Sequence, residues 1–350
     1  MKKFIFITLA SAGLLAAAFL LPIALEHRGF FMYQGDIFTS DKNALYQKEL
    51  LSLVKQDPRK AFKRFREILS KEPIAHNTCH GIAHKMGHAA YETFGFKKAM
   101  QFQDGVCGGG YIHGIIESRF GLLQEKEILD ALPNICTNGD GSCYHGIGHG
   151  LMIATKLNVD ASLHYCDLLP SNGPKNCYEG AWMHVFDREE TGLHDAEVLS
   201  PNSNDQSKQD FKNTNIEYCK VVEKKYKTSC YFYLPRIYAH IDEEPFTIFS
   251  SLCLNVEKDF QNICAVGVGH TLMKYHIANP NISFTRCAGF NSSDLVESCK
   301  EGGALYFFFD SLSGLNIKHS SVEQKEICNI FTHVSDQVIC KKVSGYKEAL

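Results

Sequence analysis

The sequence predicts an all-α fold of tandem helical hairpins, each stapled by a disulfide at its turn. Three observations carry this. Cysteine-led, glycine-rich segments recur along the chain, and a second cysteine precedes the leading one in most copies. The flanking segments, such as Asp160 to Leu169 and Cys143 to Leu157, have helical apolar spacing and no strand-type alternation. The leading cysteines are 28, 36, 34, 53, 34, 35 and 41 residues apart. A period of roughly 35 residues is the size of one helical hairpin, so about seven to eight hairpins are expected. They would form a tightly curved solenoid or a closed α/α toroid.

At the start, Lys2 and Lys3 precede an apolar stretch from Phe4 to Leu25, interrupted only by Thr8, Ser11, Gly13 and Pro22. Crossing a hydrocarbon core takes roughly 20 such residues, and a signal-peptide core has roughly 7–15. With no small-x-small cleavage site, residues 1–26 read as an uncleaved signal anchor; a cleaved signal peptide is the alternative. The lysines should remain cytoplasmic and the rest should face the periplasm or cell exterior, tethered to the membrane. Residues 27–75 read as a stalk and first repeat helix, and residues 76–350 as the repeat domain. The 53-residue gap holds a polar insertion at about 187–212, expected as a surface loop.

Fourteen cysteines suit an oxidising compartment. The spacing pairs Cys136 with Cys143, Cys166 with Cys177, Cys219 with Cys230, Cys253 with Cys264, Cys287 with Cys299 and Cys328 with Cys340. Each pair flanks a polar turn. Cys79 and Cys107 remain and pair by elimination. The competing reading is a thiolate metal site, which usually shows Cys-x-x-Cys knuckles, and the chain has none.

Gly81, Gly110, Gly146, Gly180, Gly267 and Gly302 share one position inside the second helix of the hairpin. Glycine costs about 1 kcal/mol there relative to alanine, so close approach of neighbouring backbones is expected. Three residues later stand His84, His113, His149 and His270. The position before the glycine varies between copies, yet holds His80, His145, Glu179 and Glu301. His80, His84 and His88 step by four residues, as do His113 and Glu117, and His145 and His149; one helix face could therefore present two ligands to one ion. Imidazole and carboxylate suit zinc, iron, copper or manganese.

Against this stands the reading that a histidine recurring with the repeat belongs to the fold, each ring bonding the next repeat's backbone. The two expectations are thus a transition-metal protein, with metal-dependent catalysis as one outcome, and a non-catalytic scaffold for another envelope protein or a ligand. Acidic residues number 39 against 36 lysines and arginines, so nothing favours nucleic acid. The chain carries no Gly-x-Ser-x-Gly elbow, Walker loop or His-Glu-x-x-His. Gly108-Gly109-Gly110 sits at the repeat glycine and reads as helix packing before phosphate binding. The triplet Cys79-His80-Gly81 is similar to a zinc-binding triplet of the lanthionine synthetase cyclases, which are α/α toroids. The stapled hairpins resemble cysteine-rich members of the tetratricopeptide-like class. Neither likeness extends to the other motifs of those families.

Overall fold

The computed structural model describes residues 34–72, 75–76, 78–136, 141–170, 173–186, 216–238, 247–308 and 326–344. They are helical, with no strand among them. The anchor expected at 1–26 and the insertion expected at about 187–212 lie outside the described residues. Among the described residues no helix is long and apolar enough to cross a membrane.

Residues 1–46 and 47–350 form two compact units. The described part of the first is the leading portion of α1 (Gln34–Gln56). The second begins with the remainder of that helix and continues with α2 (Pro58–Lys71). Asp57 caps α2 by accepting the Arg59 N–H at 3.0 Å, and Pro58 occupies the first turn, where its missing N–H costs nothing. Ala61, Phe62, Phe65, Ile68 and Leu69 form its buried stripe.

The hairpins follow. The second helix of each, labelled the inner helix below, is α3 (Cys79–Phe94), α5 (Gly110–Phe120), α7 (Gly141–Ala154), α9 (Gly173–Phe186), α11 (Lys224–Tyr233), α13 (Gln261–Tyr275), α15 (Ser293–Leu305) and α16 (Val334–Ser344). The shorter partners are α4 (Phe96–Met100), α6 (Glu125–Ile135), α8 (Val159–Cys166), α10 (Ile216–Val221), α12 (Thr247–Leu254) and α14 (Pro280–Cys287). Each inner helix packs against the next in chain order.

All the cysteines are paired, with Cα–Cα distances of 5.5–5.8 Å. Six bridges span 7 to 12 residues and staple a hairpin at its turn. Cys79–Cys107 spans 28 and joins the start of α3 to the turn before α5.

The glycines sit where inner helices meet. A Cβ on Gly180 of α9 would strike the carbonyl oxygen of His145 on α7; one on Gly148 would strike that of Cys177 in return. The same exchange joins α13 to α15, where Gly302 faces the Val266 carbonyl and Gly269 that of Cys299. Between α3 and α5 the contact runs over two turns, Gly110 and Gly114 lying against the His80 and His84 carbonyls. Apolar residues fill the space behind, including the stacked rings of Trp182 and Phe186, with centroids 5.5 Å apart.

Gly180→Ala should therefore destabilise the protein by about 2 kcal/mol. The added methyl gains about 1 kcal/mol of helix propensity, but overpacking costs typically 1–3 kcal/mol, and a backbone carbonyl cannot rotate aside. Gly105→Ala faces open space and should stay within about 0.5 kcal/mol of the parent. Denaturant unfolding followed by helicity compares the two; equal midpoints would refute the close-approach role.

Candidate metal centre

Four consecutive inner helices bring the histidines together. His80, His84 and His88 lie on α3, His113 and Glu117 on α5, His145 and His149 on α7, and His184 on α9. Because Gly110 and Gly114 let α5 close onto α3, rings from both helices meet. Gly146 does the same for α7, except that its missing side chain makes room for the His113 ring, whose Cδ2 lies 3.0 Å from where a Cβ would stand.

His80, His84, His113 and His149 each offer a ligand atom, and these four lie within 4.8 Å of one another. The outward partners determine which nitrogens face inward. His80 Nδ1 lies 2.6 Å from the Cys107 carbonyl, which can only accept, so Nδ1 carries the proton and a neutral ring leaves Nε2 bare. His84 Nδ1 lies 3.1 Å from Glu117 Oε2, which as a carboxylate likewise leaves Nε2 bare. His113 Nε2 donates to the Ser142 carbonyl at 3.1 Å, so its Nδ1 is bare.

Those three lone pairs face one another. His80 Nε2 is 3.0 Å from His84 Nε2, and His113 Nδ1 is 3.3 Å from His84 Nε2. Bare nitrogens at such distances repel unless a proton or a cation lies between them. His149 Nδ1 stands 3.5 Å from Glu117 Oε1; an N–H there leaves its buried Nε2 without the proton. Ligating histidines characteristically have their other nitrogen held by a carbonyl or carboxylate, and these rings follow that pattern.

Backbone strain contributes to the arrangement. Cys107, Gly108 and Gly109 all adopt left-handed backbone, with φ of 55°, 65° and 78°. For Cys107 this is costly, about 1–2 kcal/mol. The turn aims the Cys107 carbonyl at His80, and the Cys79–Cys107 bridge holds it beside that ring. The Gly108-Gly109-Gly110 run thus turns the chain and supplies an acceptor.

Glu117, 1% exposed, lies behind the imidazoles. It forms further groups of potential ligands with His84 and His88, and with His149 and His184. Its Oε2 is 3.1 Å from His88 Nε2, while His149 and His184 meet each other through their Nδ1 atoms at 3.4 Å. Burial, followed by the charges of His145, His80 and His84, holds the His113 pKa well below 6.5. Burial and then His145 do the same for His149, with Glu117 opposing. Both rings are in the ligand form at neutral pH.

Other candidates lie elsewhere. The His145 ring sits 5.0 Å from that of His113, but its Nε2 meets Met183 Sδ at 3.3 Å. Glu179 lines a neighbouring cavity without joining the converging groups. Glu301 bonds Lys342 on α16, and His270 Nδ1 faces Arg236 Nη2 at 3.5 Å. Spacing grouped those two with the ligands, whereas cationic partners from other elements engage them. His184 escaped the sequence reading because it stands one residue beyond the aligned histidine position, where Met183 falls.

The cavity has a volume of about 420 Å³, and His80, His113 and His145 open onto it. Comparison with protein-family models, curated proteins and solved structures finds no match to this chain.

The lowered histidine pKa values predict acid sensitivity of the metal-free protein. Below pH 6.5 the unfolded chain takes up protons that folded His113 and His149 refuse, so stability is present above that pH and falls as pH drops. The slope is at most about 1.4 kcal/mol per pH unit for each ring. Glu117, His80, His84, His145 and His184 face these rings and tune the window. Melting of chelator-treated protein between about pH 7.5 and 5 measures the slope. A flat profile would mean that the two rings are not buried as neutral imidazoles.

Proposed function

We propose that the chain is an exported, membrane-tethered protein that binds one transition-metal ion through His80, His84, His113 and His149. The observation that carries this is the convergence of bare nitrogens whose tautomers are set from outside by Cys107, Glu117 and Ser142. A nitrogen-only set favours zinc, copper or iron(II) over the harder manganese. Glu117 would orient His84 and His149 from behind, with His88 and His184 around it. Such an ion polarises oxygen-bearing groups or activates water, and beside a cavity of ligand size this suits a metal-dependent enzyme.

The disulfides support export to an oxidising compartment, and the stretch from Phe4 to Leu25 supports the tether. Residues from seven inner helices line this one cavity, which supports tight curvature of the repeat array. The scaffold reading draws on one real feature: His80 and His113 each bond a carbonyl of the following repeat, as structural histidines would. It gives no reason for their other nitrogens to converge.

Elemental analysis of the full-length chain, purified without a histidine tag, should find about one equivalent of zinc, copper or iron per chain. Replacing His84 and His113 together by alanine should abolish it while leaving helicity and disulfides intact. Background metal in the parent, with no uptake on titration, would leave the scaffold reading standing.

A further inference from the structure

The cavity beside the histidines has a second side with a different character. Arg236, in the 3-10 segment Leu234–Tyr238 that follows α11, is 4% exposed, and its guanidinium lies over the Tyr233 ring at 4.8 Å. Its Nη2 is 3.5 Å from His270 Nδ1. Arginine only donates, so His270 Nδ1 accepts and the proton of the neutral ring sits on Nε2. Lys274, also 4% exposed, follows His270 by one helical turn on α13 and lines the same cavity. Lys175, an exposed residue of α9, adds a third cation. Among the described residues that line the cavity, Glu179 is the single acid. Low-dielectric walls focus the field of such a set into the space between them.

We infer that this cavity binds a small anionic molecule, one bearing a carboxylate or phosphate group, with Arg236, Lys274 and Lys175 on the anion. Arg236 offers a planar fork fixed in place by Tyr233, a geometry matched to two oxygens of one anion. Lys274 and Lys175 contribute point charges. About 420 Å³ lies within the range of small-molecule sites. His80 and His113 line the same space, so an anion held here would lie beside the proposed metal centre. The inference deepens the metal reading, yet the cationic wall exists without the ion, so the two can fail separately.

The test is calorimetric titration of inorganic phosphate into the full-length chain, metal-loaded and chelator-treated. Saturable binding is expected in both states. Lys274→Met should weaken it at least about tenfold, and Lys274→Arg, which restores the charge, should stay within about threefold of the parent. Metal content should be unchanged in both variants. If Lys274→Met loses helicity, Lys175→Ala replaces it; its side chain is exposed, and about threefold weakening is expected. Absence of saturable binding in both metal states overturns the inference, as does parental affinity in the variants. Phosphate binding that vanishes with the metal but ignores these substitutions places the anion on the ion alone, which overturns the anion wall and keeps the metal centre. Binding that survives in a chain unable to take up metal supports the anion site and removes the metal reading.

Discussion

Backbone laid directly on backbone is the contact from which the rest of this molecule follows. Helices normally meet through side chains, at interaxial distances of about 8–10 Å. Here the carbonyls of one inner helix press on glycines of the next: His145 on Gly180, Phe232 on Gly267, Val266 on Gly302. Residues flanking these contacts are drawn inward from both helices at once. Between α13 and α15 the flanking residues are Val266 and Cys299, and the contact only packs. Between α3 and α5 they are His80 and His84, and the same contact gathers imidazoles. The repeat supplies proximity; the side chains that flank each contact decide what is brought together.

Proximity alone does not orient a ring. That task falls to groups belonging to the following repeat, the Cys107 and Ser142 carbonyls, and to Glu117 on α5. Cys107 unites three roles in one residue: a left-handed turn, a covalent link to Cys79 and the acceptor for His80, the residue next to Cys79. The bridge therefore ties the imidazole to the group that sets its tautomer. Elimination was enough to pair these two cysteines in the sequence, but nothing in the sequence hinted at a left-handed Cys107.

The hairpins and their staples were legible because both are local. A cysteine at each end of a short polar turn can reach only its neighbour, and helical periodicity shows within a dozen residues. The glycines signalled close approach because they recur at a cost. Their register was harder to read. Aligning the first copy on Gly81 ignores that α3 and α5 also meet a turn later, at Gly87 and Gly114. Convergence was legible where histidines step by four along one helix, as at His80 and His84. The reading failed where the deciding partner comes from another element, as Lys342 does for Glu301 and Arg236 for His270. His184 was hidden by a one-residue offset that only packing reveals.

The disulfide connectivity bears on how the chain reaches this state. Read along the sequence, every cysteine is joined to the next: first with second, third with fourth, and so on to Cys328 with Cys340. A polypeptide entering an oxidising compartment from its N-terminus meets its thiols in the order in which they belong together. Simple oxidation on arrival there would yield the native pairs, because each new thiol would find its intended partner as the only one still unbonded. Thiol–disulfide reshuffling, slow at seconds to hours, has little left to correct. Fourteen cysteines in arbitrary order would make assembly a search; in this order, biogenesis becomes sequential.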